Sequence, residues 1–172
     1  IEEVLDLSKM DAQKLELHLE PTPVRLFFEQ FHTLFIPQSR NQKIEFDIEF
    51  HLSSDDLTIL LDRKKMEKVV NNFMSNALKF TPKGGNILLR VEELEDRLKL
   101  TVRDDGKGIP PSDLPHVFER YFQTKEIQSK STSGGTGIGL ALVHDFAALM
   151  GGRVDVESIL GQGATFHFEW RK

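Results

Sequence analysis

Apolar residues recur along this chain with two different periods, and the switches between them mark out its elements. Ile1 to Met10 clusters Val4, Leu5 and Ser8 at helical spacing, which predicts the last turns of a helix. From Lys14 to Glu20, KLELHLE, the period becomes two and puts Leu15, Leu17 and Leu19 on one face, as in a half-buried strand. The change of period marks a boundary near Ala12. Thr22 and Pro23 then read as the N-cap and first-turn proline of a helix striped with Leu26, Phe27, Phe31, Leu34 and Phe35.

Lys43 to Phe50, KIEFDIEF, alternates strictly, with Ile44, Phe46, Ile48 and Phe50 inward and Glu45, Asp47 and Glu49 outward. Leu57 to Leu61 is a short strand. Asp62 caps a long helix that runs through Met66, Val69, Val70, Phe73, Ala77 and Leu78 and stops at Thr81, Pro82 and a glycine pair. Asn86 to Glu92 and Arg97 to Asp104 form a hairpin across the polar tip Glu93 to Asp96. Ser112 to Phe122 predicts a short helix, Gln123 to Gly135 a polar loop, and Thr136 to Met150 a helix stopped by Gly151 and Gly152. Val154 to Ser158 and Ala164 to Trp170 are the final strands. Antiparallel-type strands mixed with helices, without regular βαβ alternation, indicate an α+β domain over 13–172, preceded by a helical piece at 1–12.

Composition changes this picture little. The chain has 172 residues, 39% hydrophobic and 28% charged, ordinary for one globular domain. A net charge of -5 offers no general attraction to nucleic acid or an anionic membrane, so any polyanion needs a local site. The absence of cysteine excludes disulfides, thiolate catalysis and Cys-type zinc sites. No apolar run approaches the roughly 20 residues that span a bilayer. A cytosolic segment cut from a longer parent, beginning at Ile1 without an initiator Met, is the expectation.

Candidate chemistry concentrates in three places. Asn72 and Asn76 lie four apart on one helix face and offer amide oxygens to a metal and amide N–H groups to an anion. Asp104 to Ile109, DDGKGI, ends a strand with an acid and then two glycines; such a backbone can approach a flat ligand while the carboxylate accepts from an exocyclic amine, or it can simply be a capped turn. Gly135 to Leu140, GTGIGL, misplaces its third glycine for a dinucleotide fingerprint and lacks the Lys-Ser or Lys-Thr of a Walker loop. It reads as a glycine-lined helix N-terminus suited to phosphate, or as a tight helix start.

Taken together and in this order, the three motifs make the chain resemble the catalytic and ATP-binding domain of a sensor histidine kinase. The same superfamily holds DNA gyrase, MutL-type repair proteins and a heat-shock chaperone. VFERYF, with Phe118 and Phe122, resembles the family's phenylalanine box, and GQGATFHF, with Gly161, Gly163 and Thr165, its closing strand. VLDLSKMDAQKLEL resembles the junction with the second helix of a dimerisation hairpin. The resemblance implies a two-layer α/β sandwich, the Bergerat ATP-binding fold, with a mixed, mostly antiparallel sheet of about five strands on about three helices and a lid loop over the nucleotide. It implies that Asn76 coordinates Mg²⁺ on the ATP phosphates, that Asn72 supports the same face, and that Lys79 reaches the phosphates, with Phe80 beside it. Asp104 would read adenine, Gly106 and Gly108 would permit close approach, Thr165 would sit near the same edge, and Ile109 and Leu140 would be apolar walls. Gly135, Thr136, Gly137, Ile138 and Gly139 would line the phosphates, with Arg120, Lys125 and Lys130 as further phosphate candidates.

Relatives that hydrolyse ATP or phosphorylate serine carry a Glu four residues before the metal-binding Asn. Here that position is Asn72, which takes no proton at neutral pH, whereas an imidazole nucleophile already carries a lone pair. The resemblance therefore implies a protein-histidine kinase, with an ATPase clamp or a nonenzymatic nucleotide-binding module as alternatives. None of His18, His32, His51, His116, His144 and His167 sits in a phosphoacceptor box. His18 and His167 occupy polar strand positions and are expected to be exposed. The implied partners are ATP, the phosphoacceptor dimerisation domain of a homodimeric, membrane-anchored parent and a response regulator receiver domain, and not nucleic acid.

Overall fold

The structure, a computed structural model, describes residues 16–123 and 137–172. The helix expected over 1–10, the strand positions Lys14 and Leu15, the loop lysines Lys125 and Lys130, and Gly135 and Thr136 lie outside the described residues. Five strands form one sheet in the order β2-β4-β5-β7-β6: β2 Glu45–His51, β4 Asn86–Glu93, β5 Arg97–Asp104, β6 Arg153–Ile159 and β7 Gly163–Arg171. β2 and β4 run parallel, and the other neighbours are antiparallel. β1 Glu20–Pro23 and β3 Thr58–Leu61 make a separate two-stranded sheet. Three helices, α1 Val24–Gln42, α2 Arg63–Phe80 and α3 Gly139–Leu149, complete a two-layer α/β sandwich.

The N-terminal elements start later than the sequence pattern predicts. Among the described residues the first strand is Glu20–Pro23, with 16–19 outside it, because Thr22 and Pro23 pair with Ile59 and Thr58 and are not part of a helix. Thr22 makes no cap; its hydroxyl donates to the Glu20 carbonyl at 3.0 Å. The true stripe of α1 is Val24, Phe27, Phe28, Phe31 and Phe35, while Leu26 and Leu34 are each 61% exposed. At about 100° per residue Leu26 falls roughly opposite that arc and Leu34 to one side of it, so a stripe that includes them is wider than the one face the helix buries. Ser112 to Phe122 forms only a single 3-10 turn at Leu114–His116, and α3 begins at Gly139.

The remaining elements follow the pattern. Asp62 Oδ1 accepts the Lys65 N–H at 3.1 Å and caps α2, whose Met66, Val69, Val70, Phe73, Met74, Ala77 and Leu78 are buried. Those residues meet the inner face of the sheet, where Leu98, Leu100 and Val102 of β5 lie beside Trp170, Phe168 and Phe166 of β7. A fully buried Phe or Leu of this kind contributes about 1.5–3 kcal/mol relative to exposure. The inner row of β5 ends in Asp104, a carboxylate at a core-facing position paired with Ala164.

Candidate active site

Between α2, the loop after β5 and the start of α3 lies a cavity of about 370 Å³. Asp104 stands at its floor, 6% exposed. Its Oδ1 accepts backbone N–H groups from Gly106 at 2.9 Å and Ala164 at 3.3 Å, and the side chain faces the cavity. Burial pushes the carboxyl above its ordinary 3.8; the two N–H bonds oppose this, and Asp105 nearby adds to it. A buried acceptor at the end of a cavity suits a ligand that brings its own donor.

The loop after β5 reaches this geometry only through glycine. Gly108 has φ +70, and a Cβ there would stand 2.2 Å from the Ile159 carbonyl oxygen. A Cβ on Gly106 would stand 2.6 Å from the Phe80 carbonyl oxygen. Gly106 is buried and does not line the cavity; its N–H holds Asp104 instead, so it supports that carboxylate from behind.

One side of α2 supplies the second wall. Asn72, Asn76, Lys79 and Phe80 all line the cavity, as the helical spacing requires. Asn72 is already engaged: its Nδ2 donates to the Lys68 carbonyl at 3.0 Å, and a Cβ on Gly139 would fall 1.8 Å from its Oδ1. Gly139 therefore lets α3 come close to α2 at Asn72. Asn76 has an amide oxygen to give. Among the described residues no group of three or more His, Cys, Asp or Glu could hold a metal, so a cation here would take most of its ligands from the nucleotide and water.

Ile109, Gly137, Gly139 and Leu140 also line the cavity, and Ile109 and Leu140 supply apolar surface. Four expected contacts do not. Ile138 is 3% exposed and belongs to the core. Arg120 lies outside the lining and stands 3.7 Å from Asp145 of α3. Gly106 acts from behind, as described. Thr165 is on the wrong face of β7: the pleat pairs it with Arg103 and Glu157, whereas its neighbour Ala164 pairs with Asp104 and lines the cavity. A count of alternation back from the buried Phe166 would have identified Ala164.

Residues missed from sequence are Ser75, Lys107, Val117, Phe122, Gln123, Ala164 and Phe166. Phe122 was flagged within the phenylalanine box but not as a contact. Lys107 and Ser75 carried no signal beyond lying inside or beside motifs. None of the histidines lines the cavity. His167 is not exposed as expected: its side chain is 16% exposed, because β7 is a central strand, and Nδ1 lies 3.0 Å from the Thr101 hydroxyl.

A buried carboxylate, a glycine-walled floor and an amide-bearing helix are the parts of a nucleotide site, and the comparisons with known proteins agree. The family described as histidine kinase-, DNA gyrase B-, and HSP90-like ATPase matches residues 61–172, and the chain belongs to it. Among particular proteins, it is 34% identical over 96% of its length to the circadian input-output histidine kinase CikA of Synechococcus elongatus, covering 22% of that protein. It is 32% identical over 98% of its length to the sensor histidine kinase WalK of Bacillus subtilis, covering 27% of it. The crystal structure of full-length ShkA in complex with AMPPNP superposes with a TM-score of 0.83 at 35% identity, over 98% of this chain and 34% of that one. The catalytic domain of the histidine kinase ThkA gives 0.77 at 25% identity, over 91% of this chain and 97% of that one. The chain thus spans about a quarter of CikA and of WalK, about a third of full-length ShkA, and nearly the whole of the isolated ThkA catalytic domain. Among the described residues, no helix is long and apolar enough to cross a membrane.

Proposed function

We propose that this domain binds Mg²⁺-ATP and gives the γ-phosphate to the imidazole of a histidine on a separate dimerisation domain of its parent protein. The observation that carries the reading is the cavity itself, where the buried Asp104 at the floor faces the same space as Asn76 and Lys79 of α2. Asp104 would accept from the adenine amine. Ile109, Leu140 and Phe166 would cover the faces of the ring, and Asn76 would hold Mg²⁺, which supplies charge neutralisation on the phosphates. Lys79, in the last turn of α2, would meet the phosphates as a point charge. Phosphoryl transfer asks mainly for positioning and charge, so the domain needs no covalent group of its own.

The choice of kinase over ATPase rests on what could activate the acceptor. Asp104 is the one carboxylate among the described lining residues, and its Oδ1 is occupied by Gly106 and Ala164 N–H groups. Among the described lining residues that leaves no base beside Asn76 to take a proton from water. A neutral imidazole needs none. In this reading the phosphate then passes to a receiver domain of a response regulator, and the parent is a homodimer carrying its acceptor histidine outside this domain.

Isothermal titration with a nonhydrolysable ATP analogue tests the site. Asn76→Ala and Asp104→Ala should each lose affinity relative to wild type, and equal binding by all three proteins would refute the assignment. Labelled ATP should leave no stable phosphohistidine on this chain alone, and phosphate release should be negligible. Steady turnover would favour the clamp-type ATPase instead.

A further inference from the structure

Lys107 is the one side chain between Gly106 and Gly108, and its backbone is held from two directions. Its N–H lies 3.4 Å from the Phe80 carbonyl oxygen, and its own carbonyl accepts the Gly161 N–H at 2.7 Å. With glycines pressed against neighbouring backbone on both sides, the turn cannot swing, so Lys107 can be re-aimed only by side-chain rotation. That side chain lines the cavity, and its Nζ lies 4.9 Å from the centre of the Phe80 ring. The Nζ of Lys79 lies 5.2 Å from the same ring. Two cations from separate elements thus share one aromatic ring at the cavity wall.

Charge is also segregated along the cavity. The carboxylate of Asp104 is buried at the floor, both lysines are exposed, and no other Asp, Glu, Lys or Arg lines it among the described residues. A ligand with a hydrogen-bond donor at one end and several negative charges at the other matches that separation.

We propose that Lys107 is a second phosphate-binding cation of this site, acting with Lys79 to favour nucleoside di- and triphosphates over the monophosphate and the free nucleoside. The assignment rests on the nucleotide-binding reading above and extends it to a residue that none of the motifs singles out. The position between the two glycines sets how strongly the polyphosphate is held, while Asp104 reads the base.

The test is calorimetric titration of wild type, Lys107→Met and Lys107→Arg with a nonhydrolysable ATP analogue, ADP, AMP and adenosine, at low and at high salt. The Met variant should bind the triphosphate and diphosphate about tenfold more weakly, as for one lost charge-assisted contact, and adenosine within about twofold of wild type. The Arg variant should recover most of the loss, and the gap between wild type and Met should narrow as salt screens the charge. Unchanged triphosphate binding in Lys107→Met would overturn the proposal, and so would an equal loss for adenosine, which would mean that Lys107 only braces Phe80. Failure of wild type to bind any of the four ligands would refute the nucleotide reading itself, an outcome separate from either of these.

Discussion

Asp104→Asn separates the two things the buried carboxylate does. In the fold, Oδ1 accepts the Gly106 and Ala164 N–H groups at 2.9 and 3.3 Å, and the amide oxygen of Asn can accept both in the same place. Toward the cavity, however, an NH₂ replaces an oxygen, so a ligand amine meets a donor. Losing a charge-assisted hydrogen bond costs about 1.5–3 kcal/mol, and the unpaired donors add about 1 kcal/mol more. A total on the order of 3 kcal/mol weakens the ATP-analogue Kd by about 100-fold. Stability should move the other way. Burial raises the pKa of this carboxyl above 3.8 in the fold. Such a group contributes stability fully below its unfolded pKa, and that contribution is lost as pH rises through the folded value. Above the folded value wild type therefore carries a desolvated charge that the variant lacks. The variant should melt at the same temperature or higher at pH 7, and its advantage should shrink as pH falls into the carboxyl range. Titration calorimetry and pH-dependent thermal melts measure the two effects. Weakened binding together with a lower melting temperature at neutral pH would show that Asp104 is simply a structural residue, and unchanged binding would remove it from the site.

Three glycine substitutions, one of them a control in open space, test the close approaches around the site. Gly163→Ala places a Cβ 1.9 Å from the Asp104 carbonyl oxygen at φ +95, and should cost about 3 kcal/mol or more in chemical denaturation, whereas Gly84→Ala, at φ +85 with nothing within 4 Å, should cost about 1 kcal/mol; equal costs would refute the close-approach argument. Gly139→Ala meets only the end of the Asn72 side chain, so the fold should survive while affinity for the ATP analogue falls, and in an Asn72→Ala background the same change should add little.

Long periodic segments were legible from sequence because their burial is decided by the same few neighbours that set their period. The stripe of α2 and the β4–β5 hairpin stand as read, whereas β2 starts at Glu45 because Lys43, at φ 56, caps α1, and its alternation is clear at Glu45, Phe46 and Asp47 and fades towards Phe50. Where the reading failed, a contact distant in sequence decided the outcome. Val24 starts α1 because Thr22 and Pro23 are claimed by β3, 36 residues or so downstream, and because its own N–H donates to the Leu57 carbonyl at 2.9 Å. Nothing within Ser112 to Phe122 reveals that it stops at one 3-10 turn. The site divides in the same way. Asn72, Asn76 and Lys79 share a helix face that spacing alone defines, whereas the closing motif points to Thr165 and the pleat puts its neighbour Ala164 at the cavity. Lys107 could not be found at all, since only the fold sets it beside Phe80, 27 residues earlier in the chain.

Asn72 shows how packing and chemistry agree at one residue. Its amide bridges two helices, donating to Lys68 of its own helix while its oxygen fills the space that a side chain at Gly139 would need. A glutamate at this position would be one methylene longer and, ionised, could not donate to the Lys68 carbonyl. It would lose that bond and press on the start of α3, where Gly139 leaves no slack. Here the helices are closed around an amide, which fits the role proposed for the wall beside Asn76, positioning a phosphate and not activating water. That is the arrangement expected of a domain whose acceptor brings its own lone pair.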